Sequence, residues 1–318
     1  MKNSIISTAI ILLSAVMACN KIDSVSNGSD GLISFAPAAE NTRALIYNEN
    51  LSSETFRVYD FLDEAKYIDN QIKYGTTGWE YVDNQDYLWK NGTHKLFGYT
   101  ESLGALPSDN KVSYTKVLTT SAADQKDLLY SEIVNTTASA WKQTSGNTKE
   151  TPVKLNMKHL FSAVSIAVKN GKTTELVLNS VTIPTIANSG TATIDYSGNA
   201  VSVNIPEPEV SESTPFVNAA AIANVNVSAS GLVDILSQTV AVPTPFVVWP
   251  QTIPEMSISV EYTMNGSVYE TTATIPSVKW EAGKLYIYTL VIGEADDILL
   301  NFTVKEWQEG ASENYEFE

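Results

Sequence analysis

The sequence predicts an all-β protein of two antiparallel β-sandwiches in tandem. Three observations lead there. Apolar residues alternate with polar ones at period two in run after run, and past the N-terminal leader no stretch carries them at helical spacing. Gly, Pro, Asn and Ser separate these runs at short intervals, which suits hairpins and leaves no room for crossover helices. Finally, 318 residues exceed what one hydrophobic core usually serves, so two units of roughly 130 to 150 residues are expected.

Composition limits what such a chain does. Hydrophobic residues make up 43% and charged residues 18%, with 15 Tyr, 9 Phe and 6 Trp, a balance that folds. A net charge of −16 and a pI near 4.5 argue against a nucleic-acid partner, whose phosphates would be repelled, and suit an exposed, soluble surface. A single cysteine makes no internal disulfide, so stability must come from burial.

The first residues are an address. Lys2 precedes an apolar run from Ile5 to Met17, interrupted by Ser7, Thr8 and Ser14 and too short to span a bilayer permanently, as in a secretory leader. It ends in Val16-Met17-Ala18-Cys19, which resembles a bacterial lipobox, so residues 1–19 are expected to be a lipoprotein signal peptide with Cys19 lipidated. An ordinary leader with an incidental Cys19 is the weaker reading, because the one cysteine stands where a lipobox needs it. Acyl chains at about 0.8 kcal/mol per buried methylene would hold the mature protein on a membrane. Residues 20–31, rich in Ser, Asn, Asp and Gly, read as a tether.

The first sandwich is expected over residues 32–152, with aromatic-rich strand-like runs at Phe56 to Phe61, Trp79 to Trp89 and Leu96 to Thr100. Asn135 to Thr151, a polar stretch rich in Thr, Ser and Lys, is the expected linker. Val153, Leu155 and Met157 then start a new alternation, and the second sandwich is placed over 153–318. Its clearest element runs from Met256 to Ile275. Asn265-Gly266 favours a two-residue type I′ turn, and folding about it pairs Met264 with Ser267, Tyr262 with Tyr269 and Met256 with Ile275, like faces together. Further alternation appears at Val164, Ile166 and Val168, at Val177 to Ile183, at Val201, Val203 and Ile205, and at Leu285 to Ile292. It returns in Ile298, Leu300, Phe302 and Val304.

No chemistry stands out. His94 and His159 lie far apart with no metal-ligand spacing, and His159 is expected to open a strand of the second unit. The chain has no Gly-x-Ser-x-Gly elbow and no phosphate-cradling loop, and none of its 36 carboxylates is marked as a catalytic pair. The expectation is a protein that is not an enzyme and takes no cofactor or metal. The aromatics of Trp79 to Trp89 read as core or cross-strand pairs before they read as a sugar platform.

In order along the chain come Trp79-Glu80-Tyr81, Tyr87-Leu88-Trp89, Lys95-Leu96-Phe97-Gly98-Tyr99 and Asp127-Leu128-Leu129-Tyr130. Met157-Lys158-His159-Leu160-Phe161-Ser162-Ala163-Val164 and Val247-Val248-Trp249-Pro250-Gln251 follow, then Trp280-Glu281-Ala282-Gly283-Lys284-Leu285-Tyr286 and Val304-Lys305-Glu306-Trp307. Behind a lipobox, this combination resembles the fimbrillin family, the subunits of protease-assembled (type V) pili. The resemblance implies two transthyretin-like sandwiches in tandem, displayed on the outer membrane. It also implies that a trypsin-like protease cuts after an arginine near the mature N-terminus and removes the first strand, whose groove then accepts a strand from another subunit. Thr42-Arg43-Ala44 matches that cleavage motif, and Leu32, Ile33 and Phe35 upstream are the candidate strand that is lost. Arg43 as an uncleaved loop residue is the plain alternative. Ile298, Leu300, Phe302 and Val304 are the candidate donor strand, or else the last strand of their own unit. Gln308 to Glu318 is a short tail with Tyr315 and Phe317 as its only pocket fillers.

The expected function is a structural and adhesive pilus subunit of the cell surface. Its expected partners are other pilus subunits, the outer membrane through the lipid, and a surface receptor on a host or bacterial cell. The competing expectation is a monomeric, lipid-anchored glycan-binding protein, which would need an exposed tryptophan.

Overall fold

The computed structural model describes residues 31–38, 52, 54–76, 78–118, 126–144, 151–182, 186–208, 225–234, 246–293 and 298–307. Cys19, Arg43, Ala44, the tether before Gly31 and the tail beyond Trp307 lie outside them.

The chain opens with β1 (Phe35–Ala38), β2 (Thr55–Leu62), β3 (Ala65–Tyr74), β4 (Trp79–Tyr81), β5 (Thr93–Thr100) and β6 (Lys111–Val117). Next come β7 (Leu129–Ser131), β8 (Val134–Thr137), a short helix α1 (Ala138–Thr144) and β9 (Val153–His159). The sheet order is β1-β9-β7-β5-β2-β3-β4, with β8 also against β5, and only the β1–β9 pair is parallel. Strand β2 shows why this sheet organises the molecule. Phe56 and Val58 point into one core while Tyr59 and Phe61 on the opposite face point into another, and β5 repeats the split with Leu96 against Phe97 and Tyr99.

The second part supplies β10 (Ser162–Asn170), β11 (Leu176–Thr182), β12 (Ser189–Asp195), β13 (Ser202–Asn204), β14 (Val225–Val227), β15 (Leu232–Asp234) and β16 (Phe246–Val248). It continues with β17 (Gln251–Ile253), β18 (Met256–Met264), β19 (Ser267–Ile275), β20 (Val278–Trp280), β21 (Lys284–Ile292) and β22 (Ile298–Glu306). One sheet runs β15-β10-β21-β22 and faces another that runs β14-β11-β18-β19. Val164, Ile166, Val168, Leu178, Ile258, Val260 and Tyr288 fill the space between them. This is a sandwich, as the alternation predicts, but it is not wholly antiparallel: β10 and β21 at the centre of one sheet run parallel from Ala163↔Leu285 to Asn170↔Ile292, because alternation marks the buried face and not the strand's direction. The β18–β19 hairpin pairs Met264 with Ser267 through to Met256 with Ile275, and its turn residues Asn265 and Gly266 take φ of 50° and 78°. Turn chemistry and face pattern demand one register, and the chain adopts it.

Between the two halves lies a third core. Tyr59, Phe97 and Tyr99 from the first sheet meet Ala163, Leu285 and Ile287 from the second, with Trp249 and Trp307 beside them. The antiparallel trio β13-β12-β6 covers this layer with Val112, Ala192 and Ile194. The halves are therefore welded through apolar contact.

Two local expectations meet a different arrangement. Residues 135–151, expected as linker, hold β8 and α1: Ala138 is buried, and Trp141 stacks on Trp89 at 5.7 Å. Polar composition hid one buried and one half-buried anchor side chain. Strand β9 begins at the expected boundary but joins the first sheet between β1 and β7, so His159 closes a strand where it was expected to open one. Alternation reveals which face of a strand is buried and says nothing about which sheet it enters.

Candidate assembly site: the first strand and its seat

Residues 31–38 read Gly-Leu-Ile-Ser-Phe-Ala-Pro-Ala, and their burial alternates. Ile33 and Phe35 are 1% and 2% exposed and belong to the core inside the first sheet, with Phe56, Val58, Val153 and Leu155. Leu32, expected with them, faces outward at 44% exposed.

Two separate stretches of backbone hold this segment. At its start it runs antiparallel to residues 87–89. The Ile33 N–H donates to the Tyr87 carbonyl at 2.7 Å, the Trp89 N–H donates to the Gly31 carbonyl at 3.1 Å, and Leu32 bridges Leu88. From Ser34 onward it runs parallel to β9. The Val153 N–H donates to the Ser34 carbonyl at 2.7 Å, and Phe35 through Ala38 stand opposite Val153 through Asn156. The Tyr81 hydroxyl donates to the Ile33 carbonyl at 2.9 Å and its ring meets Phe35 edge-on at 6.3 Å. Burial pushes the Tyr81 phenol far above its ordinary range, so it remains a donor.

Strand β9 with β1 lies at one end of the sheet, and β4, followed by residues 87–89, lies at the other. The sheet thus curls round its own core, and residues 31–38 are the stave that joins its two ends. Pro37, lacking an N–H, sits in an edge strand, where that is tolerated. A cavity of about 280 Å³ already runs along the stave's start, lined in part by Leu32, Ile33, Trp79, Tyr81 and Tyr87. Without the stave, β9 would expose unpaired backbone groups and the core would lose two apolar plugs.

Beneath residues 88–90 lies a buried ion pair. His94 Nδ1 is 2.6 Å from Asp60 Oδ2, Nε2 is 2.9 Å from the Lys90 carbonyl, and both side chains are fully buried. With an oxygen facing each ring nitrogen, the pair holds one proton more than a neutral imidazole beside a carboxylate. Burial opposes a charged ring, but the hydrogen bonds from Asp60 and Lys90 outweigh it, and the His94 pKa is raised from 6.5. Asp63 adds to that rise from the neighbouring turn. A raised pKa stabilises the fold fully below the unfolded value, and that contribution is lost as pH climbs through the folded one. Thermal unfolding is therefore expected to show declining stability above pH 6.5, with a shallower decline when Asp60→Asn and His94→Asn are combined, because burial also raises the Asp60 carboxyl and the pair titrates together. The chain's other histidine, His159, lies 2.5 Å from Asp127 and stacks on Trp307 at 4.3 Å. Both histidines are committed to tying strands together.

The candidate donor residues sit in β22, which pairs with β21 from Lys284↔Glu306 to Ile292↔Ile298. Ile298 and Leu300 pack on the second-half core, while Phe302 and Val304 are 36% and 44% exposed and Phe302 stacks on Tyr288. Arg43, Ala44 and Cys19 lie outside the described residues. Among the described residues no group of three or more His, Asp or Glu is disposed to hold a metal ion, and no helix is long and apolar enough to cross a membrane. Sequence reasoning read Trp79 to Trp89 as one strand-like run, of which the structure keeps β4 and the bridge at Leu88, and it missed both the pairing of residues 87–89 with the first segment and the two histidine–aspartate pairs. Each joins residues distant in the chain, so no local pattern could have revealed them.

A family model described as fimbrillin-like matches residues 42–307. The chain belongs to the fimbrillin-like family. Solved structures share its fold at low identity. A fimbrial protein from Bacteroides vulgatus superposes with a TM-score of 0.56 at 12% identity, over 88% of this fimbrillin-like chain and all of that one. Two proteins provisionally assigned to cell adhesion follow: one from Bacteroides uniformis (TM-score 0.51, 14% identity, 88% and 100% covered) and one from Bacteroides ovatus (0.50, 17%, 90% and 100%). No curated protein matches the sequence.

Proposed function

We propose that this chain is a pilus subunit that assembles by strand exchange. In this reading it is exported as a lipoprotein, held on the outer membrane through Cys19, and activated by cleavage between Arg43 and Ala44. Membership of the fimbrillin-like family and the likeness to fimbrial and adhesion proteins support a pilus or adhesion subunit. The observation that carries the finer reading is the first strand: it precedes Arg43, lies at the rim of its sheet, and plugs the core with Ile33 and Phe35. A cut after Arg43 separates that strand covalently from everything it packs on.

The physics is β-augmentation. An alternating strand from another subunit would restore the backbone ladder on β9 and refill the two pockets. The proposed donor, Ile298 to Val304, would have to leave seven of the nine residue pairings that β22 makes with β21. Donation from it therefore requires an equivalent ladder on the neighbour. Treatment with a trypsin-like protease should remove the residues before Ala44 and yield heat-resistant ladders on gels. Complete cleavage that leaves only monomers, with partner subunits supplied, refutes the reading.

The competing glycan-binding reading called for an exposed tryptophan. The six tryptophans are buried or half-buried, with Trp79 against Phe56, Trp89 against Trp141, and Trp249, Trp280 and Trp307 in the cores.

A further inference from the structure

A second site lies away from the first strand. At the far end of the β2–β3 hairpin is an open cleft of about 720 Å³, within the size range of small-molecule sites. Its floor includes Phe61, whose ring lies parallel to Phe97 at 6.0 Å; Phe97 in turn stacks on Tyr196 at 4.0 Å. The cleft is thus bordered by the end member of a fixed column of aromatic rings.

The polar walls are also fixed. Asp63 accepts the Thr93 N–H at 2.9 Å and returns its own N–H to the Thr93 carbonyl, Asn135 donates to the Asn199 carbonyl at 2.8 Å, and Lys95 donates to the Tyr196 carbonyl. Asp63, Glu64 and Asn110, at φ of 47°, 68° and 57°, are three of the six non-glycine residues with positive φ among the described residues. Such conformations carry a cost and gather at functional sites. Glu64 is the least expected of them, since the second position of this turn type ordinarily holds glycine.

We propose that this cleft binds a neutral or weakly charged oligosaccharide. Its chemistry favours hydroxyl-rich ligands. Amides of Asn110, Asn135 and Asn199 and hydroxyls of Thr93 and Ser197 outnumber the charged groups, two carboxylates and one ammonium. Carboxylates and amides each span vicinal hydroxyls, and an aromatic ring takes the apolar face of a sugar. The inference extends the adhesive side of the proposed function and does not depend on strand exchange.

The test uses the intact chain in detergent against an immobilised panel of neutral and sialylated oligosaccharides, with calorimetry on any that bind. Saturable binding that withstands raised salt is expected, weakened at least about tenfold by Asn110→Gly combined with Asn199→Ala, the loss of roughly one good hydrogen bond. Glu64→Gly, which relieves backbone strain, should weaken binding while raising the melting temperature by about 2 °C. Because that variant becomes more stable, lost binding cannot be attributed to misfolding. No binding across the panel, or binding that all variants retain, overturns the proposal. So does preference for a basic peptide that vanishes in high salt. Variants that lose sugar binding yet still form ladders would show that adhesion and assembly are separate.

Discussion

Phe35→Ala is expected to lower the unfolding free energy of the uncleaved chain by about 3 to 5 kcal/mol, the range for emptying a fully buried aromatic site. Phe35 is 2% exposed, abuts Tyr81, and stands opposite Val153 in the β1–β9 ladder. Little can collapse into the space, because the walls belong to β2, β3 and β9, whose registers are fixed by pairing. The contrast within one segment is the sharper test. Leu32→Ala, three residues away on the outward face, should change stability by no more than about 0.5 kcal/mol. Urea unfolding of the two variants measures both. Equal effects would mean that Phe35 is not the plug described, and an unchanged midpoint for Phe35→Ala would mean that the first strand contributes nothing to the stability of the fold.

Trp249→Ala is expected to cost a similar amount, about 3 to 5 kcal/mol, for a different reason. Trp249 is fully buried in the core between the halves, with Phe161 edge-on at 4.9 Å and its Nε1–H donating to the Lys116 carbonyl at 3.1 Å. Gly190 leaves it room: a Cβ there would stand 2.6 Å from the indole. Since this core takes side chains from Tyr59 through to Trp307, its loss should loosen both halves at once. Calorimetry of the wild type should show one transition for the whole chain, and the variant should melt earlier and over a broader range. A loss below about 1 kcal/mol with the melting profile unchanged would argue that the halves are independent beads.

How far the fold could be read in advance depended on how local its causes are. The β18–β19 hairpin was fully legible, because Asn265-Gly266 and the alternation from Met256 to Ile275 require the same register. The all-β class was legible for the same reason. The allegiance of β9 was not: Val153, Leu155 and Met157 announce a buried face, but the partners that claim it, β1 and β7, are set by distant packing. The Asn135 to Thr151 stretch looked like linker because two anchors, Ala138 and Trp141, are scattered among polar residues. At the candidate site, the family resemblance grouped Leu32, Ile33 and Phe35 as one apolar strand; the structure buries Ile33 and Phe35 and turns Leu32 to solvent, as the two-residue period of a strand requires of its neighbour. The clamp from residues 87–89 and the Asp60–His94 pair beneath it join residues far apart in sequence, a relation that one sequence does not display.

The proposal that residues 31–38 are a replaceable stave can be tested by native mass spectrometry before and after a trypsin-like cut at Arg43, with a synthetic peptide of residues 31–38 added to a parallel sample. The expected result is loss of the N-terminal fragment, growth of oligomers, and suppression of those oligomers by the peptide. A cut chain that stays monomeric, or oligomers indifferent to excess peptide, would contradict it.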